Sequence, residues 1–145
     1  MRIGGLDVGD RRIGVAMSDE KGWTAQGVRV ITRTTLDADL EALRDCLSPY
    51  APSALVVGLP KNMNGTIGPQ AQKVLDFARA LEAALGIPVV MWDERLSTVG
   101  AERTLLEADL SRAKRRKVID KAAAAFILQG YLDSLEFARR RNPSG

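Results

Sequence analysis

An aspartate at the centre of the first apolar run constrains this chain more than any other feature. Arg2-Ile3-Gly4-Gly5-Leu6-Asp7-Val8-Gly9 reads as a β-strand. Ile3, Leu6 and Val8 supply β-forming bulk, and the glycines let another backbone or a ligand come close. An ionised carboxylate in the middle of such a strand is costly unless a cation or strong hydrogen-bond donors meet it. Asp7 therefore calls for a partner, and the fold has to bring one. Asp10-Arg11 follows as a link of hairpin length, and Arg12-Ile13-Gly14-Val15-Ala16-Met17-Ser18 reads as a second strand.

The remainder of the chain supplies the elements around this hairpin. A third strand lies within Gly22 to Ile31, from its Val/Ile alternation. Leu36, Leu40, Leu43 and Leu47 fall on one face of a helix that ends near Pro49. Ala54-Leu55-Val56-Val57-Gly58 is wholly apolar, as a buried parallel strand should be. A turn-rich loop from Lys61 to Pro69 leads to a helix over Gln70 to Leu85, stopped by Gly86 and Pro88. Val89-Val90-Met91-Trp92 forms a fifth strand ending in Asp93-Glu94-Arg95. Ser97 or Thr98 can cap a further helix to about Asp109, and a last helix runs from about Val118 to Phe137.

Three strands on short links followed by strands joined through helices predict a mixed α/β sheet with helices on both faces. No repeat or linker divides the chain, so residues 1–138 are expected to form one domain and residues 139–145 a basic, frayed tail.

Composition removes several chemistries. The chain has no histidine, which excludes Ser-His and Cys-His nucleophilic sites and imidazole metal ligands. Its single cysteine, Cys46, cannot form an intramolecular disulfide and fits a packing role in a reducing cytosol. No run approaches the ~20 apolar residues of a membrane span. A cytoplasmic protein that does not meet a membrane is the expectation. The net charge of +3 is unevenly placed: residues 110–145 hold nine Lys/Arg against three Asp/Glu. That asymmetry points to a polyanionic partner.

Two further carboxylates stand out. Asp120 shares a helical stripe with Ala123, Ala124, Ile127, Leu128 and Tyr131, so an acid occupies the packing face. Its alternative is a helix N-cap. Glu94 ends an apolar strand, where parallel sheets place functional groups; its alternative is a surface ion pair with Arg95. Asp93 should point to the opposite side, so only one of the pair can face Asp7. Three acids converging on one point repel one another unless a hard divalent cation sits among them. Oxygen ligands alone favour Mg²⁺ or Mn²⁺, and such ions support phosphodiester hydrolysis. The basic band Arg112, Lys114, Arg115, Arg116, Lys117 and Lys121 would neutralise flanking phosphates, with Lys61 a further candidate contact. Taken alone, the band also reads as a solvated charged face. Trp23 and Trp92 read as core residues.

The segments Leu6-Asp7-Val8-Gly9 with Arg12-Ile13-Gly14-Val15-Ala16, Val56-Val57-Gly58-Leu59-Pro60, Asp93-Glu94-Arg95-Leu96-Ser97-Thr98 and Asp120-Lys121-Ala122-Ala123-Ala124 resemble the YqgF/RuvX family of the ribonuclease H-like superfamily. The resemblance implies a five-stranded sheet of order 3-2-1-4-5 with strand two antiparallel. It makes Asp7, Glu94 and Asp120 the metal-binding and catalytic acids. It implies a nuclease for the 5′ end of precursor 16S ribosomal RNA, or a resolvase of Holliday junctions. A non-catalytic nucleic-acid-binding or ribosome-assembly factor on the same fold is the competing class. Many superfamily members carry their second acid at the end of strand four, where this chain has Gly58-Leu59-Pro60. Glu94 must then reach in from one strand further out. With no dedicated interface beyond the aromatic residues Phe126, Tyr131 and Phe137 of the last helix, a monomer or weak dimer is expected.

Overall fold

A computed structural model of the chain describes residues 2–94 and 112–141. The helix expected over 97–109 lies outside the described residues.

The first hairpin forms as its residues predict: β1 (Ile3–Val8) and β2 (Arg12–Ser18) pair antiparallel, with Asp7 opposite Gly14. The strand β3 (Ala25–Thr32) continues the meander and shifts register at Val15/Ala16. The buried run β4 (Ala54–Leu59) pairs parallel with β1, and β5 (Val89–Asp93) pairs parallel with β4. The sheet order is β3-β2-β1-β4-β5, the mixed sheet that the resemblance implies, in which the Asp7 strand is central.

Two helices cover one face. In α1 (Leu36–Leu47) the Thr35 hydroxyl accepts from the Ala38 N–H at 3.2 Å, satisfying one orphan donor of the first turn. In α2 (Pro69–Leu85), proline occupies the first turn, and Gly86 ends the helix at φ 68°, a left-handed backbone that suits glycine. Leu43, Leu47, Val74, Phe77 and Leu81 from these helices bury against Leu6, Val8, Ile13, Val15, Leu55 and Val57. Cys46 is buried in the same cluster, as packing.

The leucine stripe of α1 is not the whole story. Leu36 is 47% exposed, whereas Asp39 is 2% exposed. The reason lies six residues earlier. Arg33 donates from Nε to Asp39 Oδ2 at 3.0 Å and from Nη1 to the Gly9 carbonyl at 2.9 Å, and its guanidinium lies 4.8 Å from the Phe77 ring centroid. A buried acid so paired is tolerated, and it ties the β1–β2 turn to both helices.

One long helix, α3 (Arg112–Arg141), covers the other face. It begins six residues before the expected Val118, so the basic band Arg112 to Lys117 is helical and Asp120 lies well inside the helix. The N-cap reading of Asp120 is thereby overturned: a cap precedes the first turn. Ala123, Ala124, Ile127, Leu128 and Leu132 pack on Ile3, Ala16 and Val56. Trp92 joins this cluster, its ring set edge-on to Tyr131. Trp23 does not behave as expected. It is 59% exposed in the β2–β3 loop, with Lys21 Nζ 5.0 Å from its ring centroid. Asp19 holds that loop by accepting from the Trp23 N–H at 2.7 Å, and the backbone N–H donors of the loop hold its carboxyl below the usual range.

Candidate active site

Strand alternation decides which way Asp7 faces. Leu6 and Val8 enter the α1/α2 core, so Ile3, Gly5 and Asp7 belong to the α3 face. Gly5 confirms this side: a Cβ there would lie 2.6 Å from Leu128 Cβ and 3.1 Å from the Ala124 carbonyl oxygen. The helix backbone thus comes down onto β1 two residues before Asp7, and only a residue without a side chain lets it. Asp7 itself is half-buried.

The second acid arrives by a different route. Leu6 is opposite Val57, so the register carried one residue on sets Asp7 beside Gly58. Gly58 in turn pairs with Trp92, two residues before Glu94. A Cβ on Gly58 would lie 2.6 Å from Glu94 Oε1, 3.1 Å from Glu94 Cγ and 2.6 Å from Ile127 Cδ1. The Glu94 side chain therefore lies across β4 in the space that Gly58 leaves empty, on the α3 face. Neighbouring strands are about 4.8 Å apart, so its carboxylate is brought to within roughly one strand spacing of Asp7. Asp93, paired with Leu59, belongs to the opposite side, as the alternation requires.

The third acid is placed by the helix. Asp120 precedes Ala124 by one turn of α3, about 6 Å of rise. The helix meets the sheet at Gly5 one turn after Asp120, and Asp7 stands two residues after Gly5. The side chains of residues 112–120 lie outside the described residues. The structure thus brings Asp7 and Glu94 to one face and sets the backbone of Asp120 on the helix that covers it.

Of the candidate cations, the structure describes the side chains of Lys61 and Lys121. Lys61 is half-buried in the loop after β4, its N–H donating to the Leu59 carbonyl at 3.0 Å. Lys121 is exposed, with its Cβ and carbonyl lying against Gly27 of β3. The two lie on opposite sides of β1 and do not meet. Sequence reasoning missed Lys73, whose Nζ reaches Asp10 Oδ1 at 3.7 Å and ties α2 to the β1–β2 turn. It also missed Gly58 as the passage for Glu94, although a glycine at the place of an expected acid is a visible signal.

Oxygen donors dominate this face. Among the described residues no cluster of three metal-ligating side chains is complete, and the one cysteine lies in the core of the other face. No helix among the described residues is long and apolar enough to cross a membrane.

Comparison with known proteins bears on the family and the fold. A family model described as "RuvX: Holliday junction resolvase" matches residues 1–134. A protein of Moorella thermoacetica named "Putative pre-16S rRNA nuclease" is 62% identical over 135 residues, covering 93% of this chain and 96% of its own. A protein of Desulforamulus reducens with the same name is 58% identical over 134 residues, covering 92% and 98%. Among solved structures, the Thermus thermophilus RuvC in complex with a Holliday junction substrate superposes with a TM-score of 0.61 at 16% identity, over 94% of this chain and 96% of that one. A fowlpox virus Holliday junction resolvase gives 0.54 at 18%, over 93% and 99%. At those identities the likeness shows the fold.

Proposed function

This chain belongs to the RuvX family, and from that premise we propose that it is a divalent-metal-dependent nuclease that hydrolyses phosphodiester bonds in structured nucleic acid. The observation that carries the reading is Glu94 crossing β4 over Gly58 toward Asp7. Two carboxylates brought together in this way repel each other, and a cation between them would relieve that repulsion.

The donor set fits a hard ion. Asp7, Glu94 and Asp120 offer oxygen only, the chain has no imidazole, and Cys46 is buried on the far side of the sheet. These three acids would hold Mg²⁺ or Mn²⁺, and the ion would supply an activated water and charge neutralisation at the leaving oxygen. Asp7 anchors the site because its strand is central in the sheet. Glu94 sets the outer limit of the site, and its position depends on Gly58. Lys61 on one side and Lys121 with Arg112, Lys114, Arg115, Arg116 and Lys117 on the other engage phosphates flanking the cut.

The names of the relatives direct the substrate to precursor 16S rRNA, and we take its 5′ end as the site of cutting, in the cytoplasm. A monomer or weak dimer suits this substrate. Of the three aromatic residues that offered an interface, Phe126 and Tyr131 pack against the sheet and Phe137 alone is largely exposed, at 63%. A resolvase making paired cuts in a four-way junction needs two sites related by a two-fold axis.

The deciding experiment compares a labelled transcript spanning the precursor 5′ end with a mobile four-way DNA junction, in Mg²⁺ and in Mn²⁺. The expected result is cleavage of the transcript by a monomeric protein, and its loss in Asp7→Asn to less than about a tenth while binding persists. Paired symmetric nicks by a tight dimer would favour the resolvase. Binding without metal-dependent cleavage would favour an assembly factor.

A further inference from the structure

Trp23 is 59% exposed, yet the loop that carries it is held from several sides. The Asp19 carboxylate accepts from the Trp23 and Thr24 N–H groups at 2.7 and 3.3 Å, and the Asp19 N–H donates to the Thr24 carbonyl at 3.1 Å. Gly22 turns the loop at φ 72°. Gln129 of α3 then docks it. Its Nε2 donates to the Trp23 carbonyl and its Oε1 accepts from the Ala25 N–H, both at 2.9 Å. An indole so fixed is pre-organised for contact, because little further freedom is lost when something settles on it.

The ring forms one wall of a cavity of about 550 Å³, lined also by Gly22, Leu132, Asp133, Glu136 and Arg139. Leu132 is buried and gives the cavity an apolar side. Lys21 Nζ stands over the indole, 5.0 Å from its centroid. Arg139 Nη2 lies 3.9 Å from Glu136 Oε2, and α3 continues from it into Arg140 and Arg141. Asp133 accepts from Gln129 Nε2 at 3.0 Å through Oδ1, and a carboxylate has further capacity to accept. One cavity thus combines an aromatic face, a hydrogen-bond acceptor and nearby cations. A nucleotide has the complementary parts: a π-face, N–H donors on the base, and a phosphate.

The cavity is remote from the acids. Asp133 follows Asp120 by about 20 Å of rise along α3. A stacked strand advances roughly 3.4 Å per nucleotide, so that distance is on the order of six nucleotides. Resting on the nuclease reading above, we propose that this cavity takes an unpaired base of the substrate strand. The base stacks on Trp23 and donates to Asp133, while Lys21 and Arg139 meet the adjoining phosphates. The substrate class is thereby narrowed to nucleic acid with a single-stranded flank that reaches about six nucleotides from the cut.

The test is equilibrium binding, at low salt and without divalent metal, of RNAs that share one stem. One has no flank and one has a single-stranded flank of about twelve nucleotides. A third has the same flank with abasic residues around the sixth position, which keeps every phosphate and removes only bases. The full chain is expected to bind the complete flank roughly tenfold more tightly than the abasic one. Trp23→Ala should bind both alike, at the abasic level, and Trp23→Tyr, which keeps a stacking ring, should restore most of the difference. With Mg²⁺ present, Trp23→Ala should raise KM for the flanked RNA at unchanged kcat and leave the unflanked stem unaffected. Equal binding of the two flanks by the full chain would overturn the base site and leave the cavity to a protein partner. Cleavage of the stem would in that case leave the nuclease standing. A retained tenfold difference without metal-dependent cleavage of any of the three would support the base site and overturn the nuclease.

Discussion

The two faces of the sheet are built from different kinds of residue. Toward α1 and α2 the sheet presents Leu6, Val8, Ile13, Val15, Leu55 and Val57, met by leucines, Val74 and Phe77. Toward α3 it presents Gly5, Ala16, Val56 and Gly58, met by Ala123, Ala124, Ile127 and Leu128. The first face is thick and its contacts are between the ends of long side chains. The second is thin, and backbone nearly touches backbone. Bulk supplies stability on one side; on the other, missing side chains let Glu94 and α3 come close to Asp7. The proposed site thus lies on the thin face, opposite the bulkier core.

If the division is real, the largest drop in stability should come from the thick face. Leu81→Ala, at a fully buried position of α2, should cost about 2–5 kcal/mol, with cleavage by the folded fraction retained. Denaturant unfolding at matched m-values, together with activity corrected for folded protein, checks both halves.

A pair of adjacent glycines sharpens the contrast. Gly5 faces α3, where a new Cβ meets Leu128 Cβ at 2.6 Å and a carbonyl oxygen at 3.1 Å, neither of which can swing away. Gly4 faces the thick side, where the same atom meets the mobile ends of Leu55 and Met17 at 2.7 and 3.3 Å. Gly5→Ala should therefore cost about 1–3 kcal/mol and displace α3, depressing cleavage as well. Gly4→Ala should cost less than about 1 kcal/mol and leave cleavage intact. Equal effects in thermal unfolding would erase the distinction between the faces.

The smallest effect concerns charge. Replacing Lys114, Arg115 and Arg116 by alanine should weaken binding to all sequences alike. It should lower the slope of log K against log salt by about 0.7–0.9 for each phosphate that is no longer neutralised. An unchanged slope would return the band to a solvated face.

Much of this arrangement is legible in the amino-acid sequence. Strand periodicity exposes the Asp7 hairpin, and the unbroken apolar run of β4 marks a strand buried on both sides. The acid that ends β5 is also visible, as is the need for it to reach inward. What periodicity conceals are features set by distant residues. It is weak over Arg112 to Lys117, where almost every side chain is charged, so it gives little sign that the helix extends before Val118. Asp39 reads as a surface acid in a first turn, and only Arg33 folding back on it explains its burial. Trp23 reads as core because of its size, yet the loop that Asp19 organises holds it in water. Gly58 reads as a missing acid, and only the packing shows that Glu94 occupies the vacated space.

The central claim is that Glu94 serves the site through the gap at Gly58, and Gly58→Ala tests it most directly. The added methyl would stand 2.6 Å from Glu94 Oε1 and push that carboxylate off its path. The measurement is single-turnover cleavage of the precursor transcript in Mg²⁺, with binding followed in parallel on the same samples. A displacement of the acid by about 1 Å predicts a fall of roughly a hundredfold in rate with affinity little changed. A Gly58→Ala protein that folds, binds and cleaves at the wild-type rate would contradict the account.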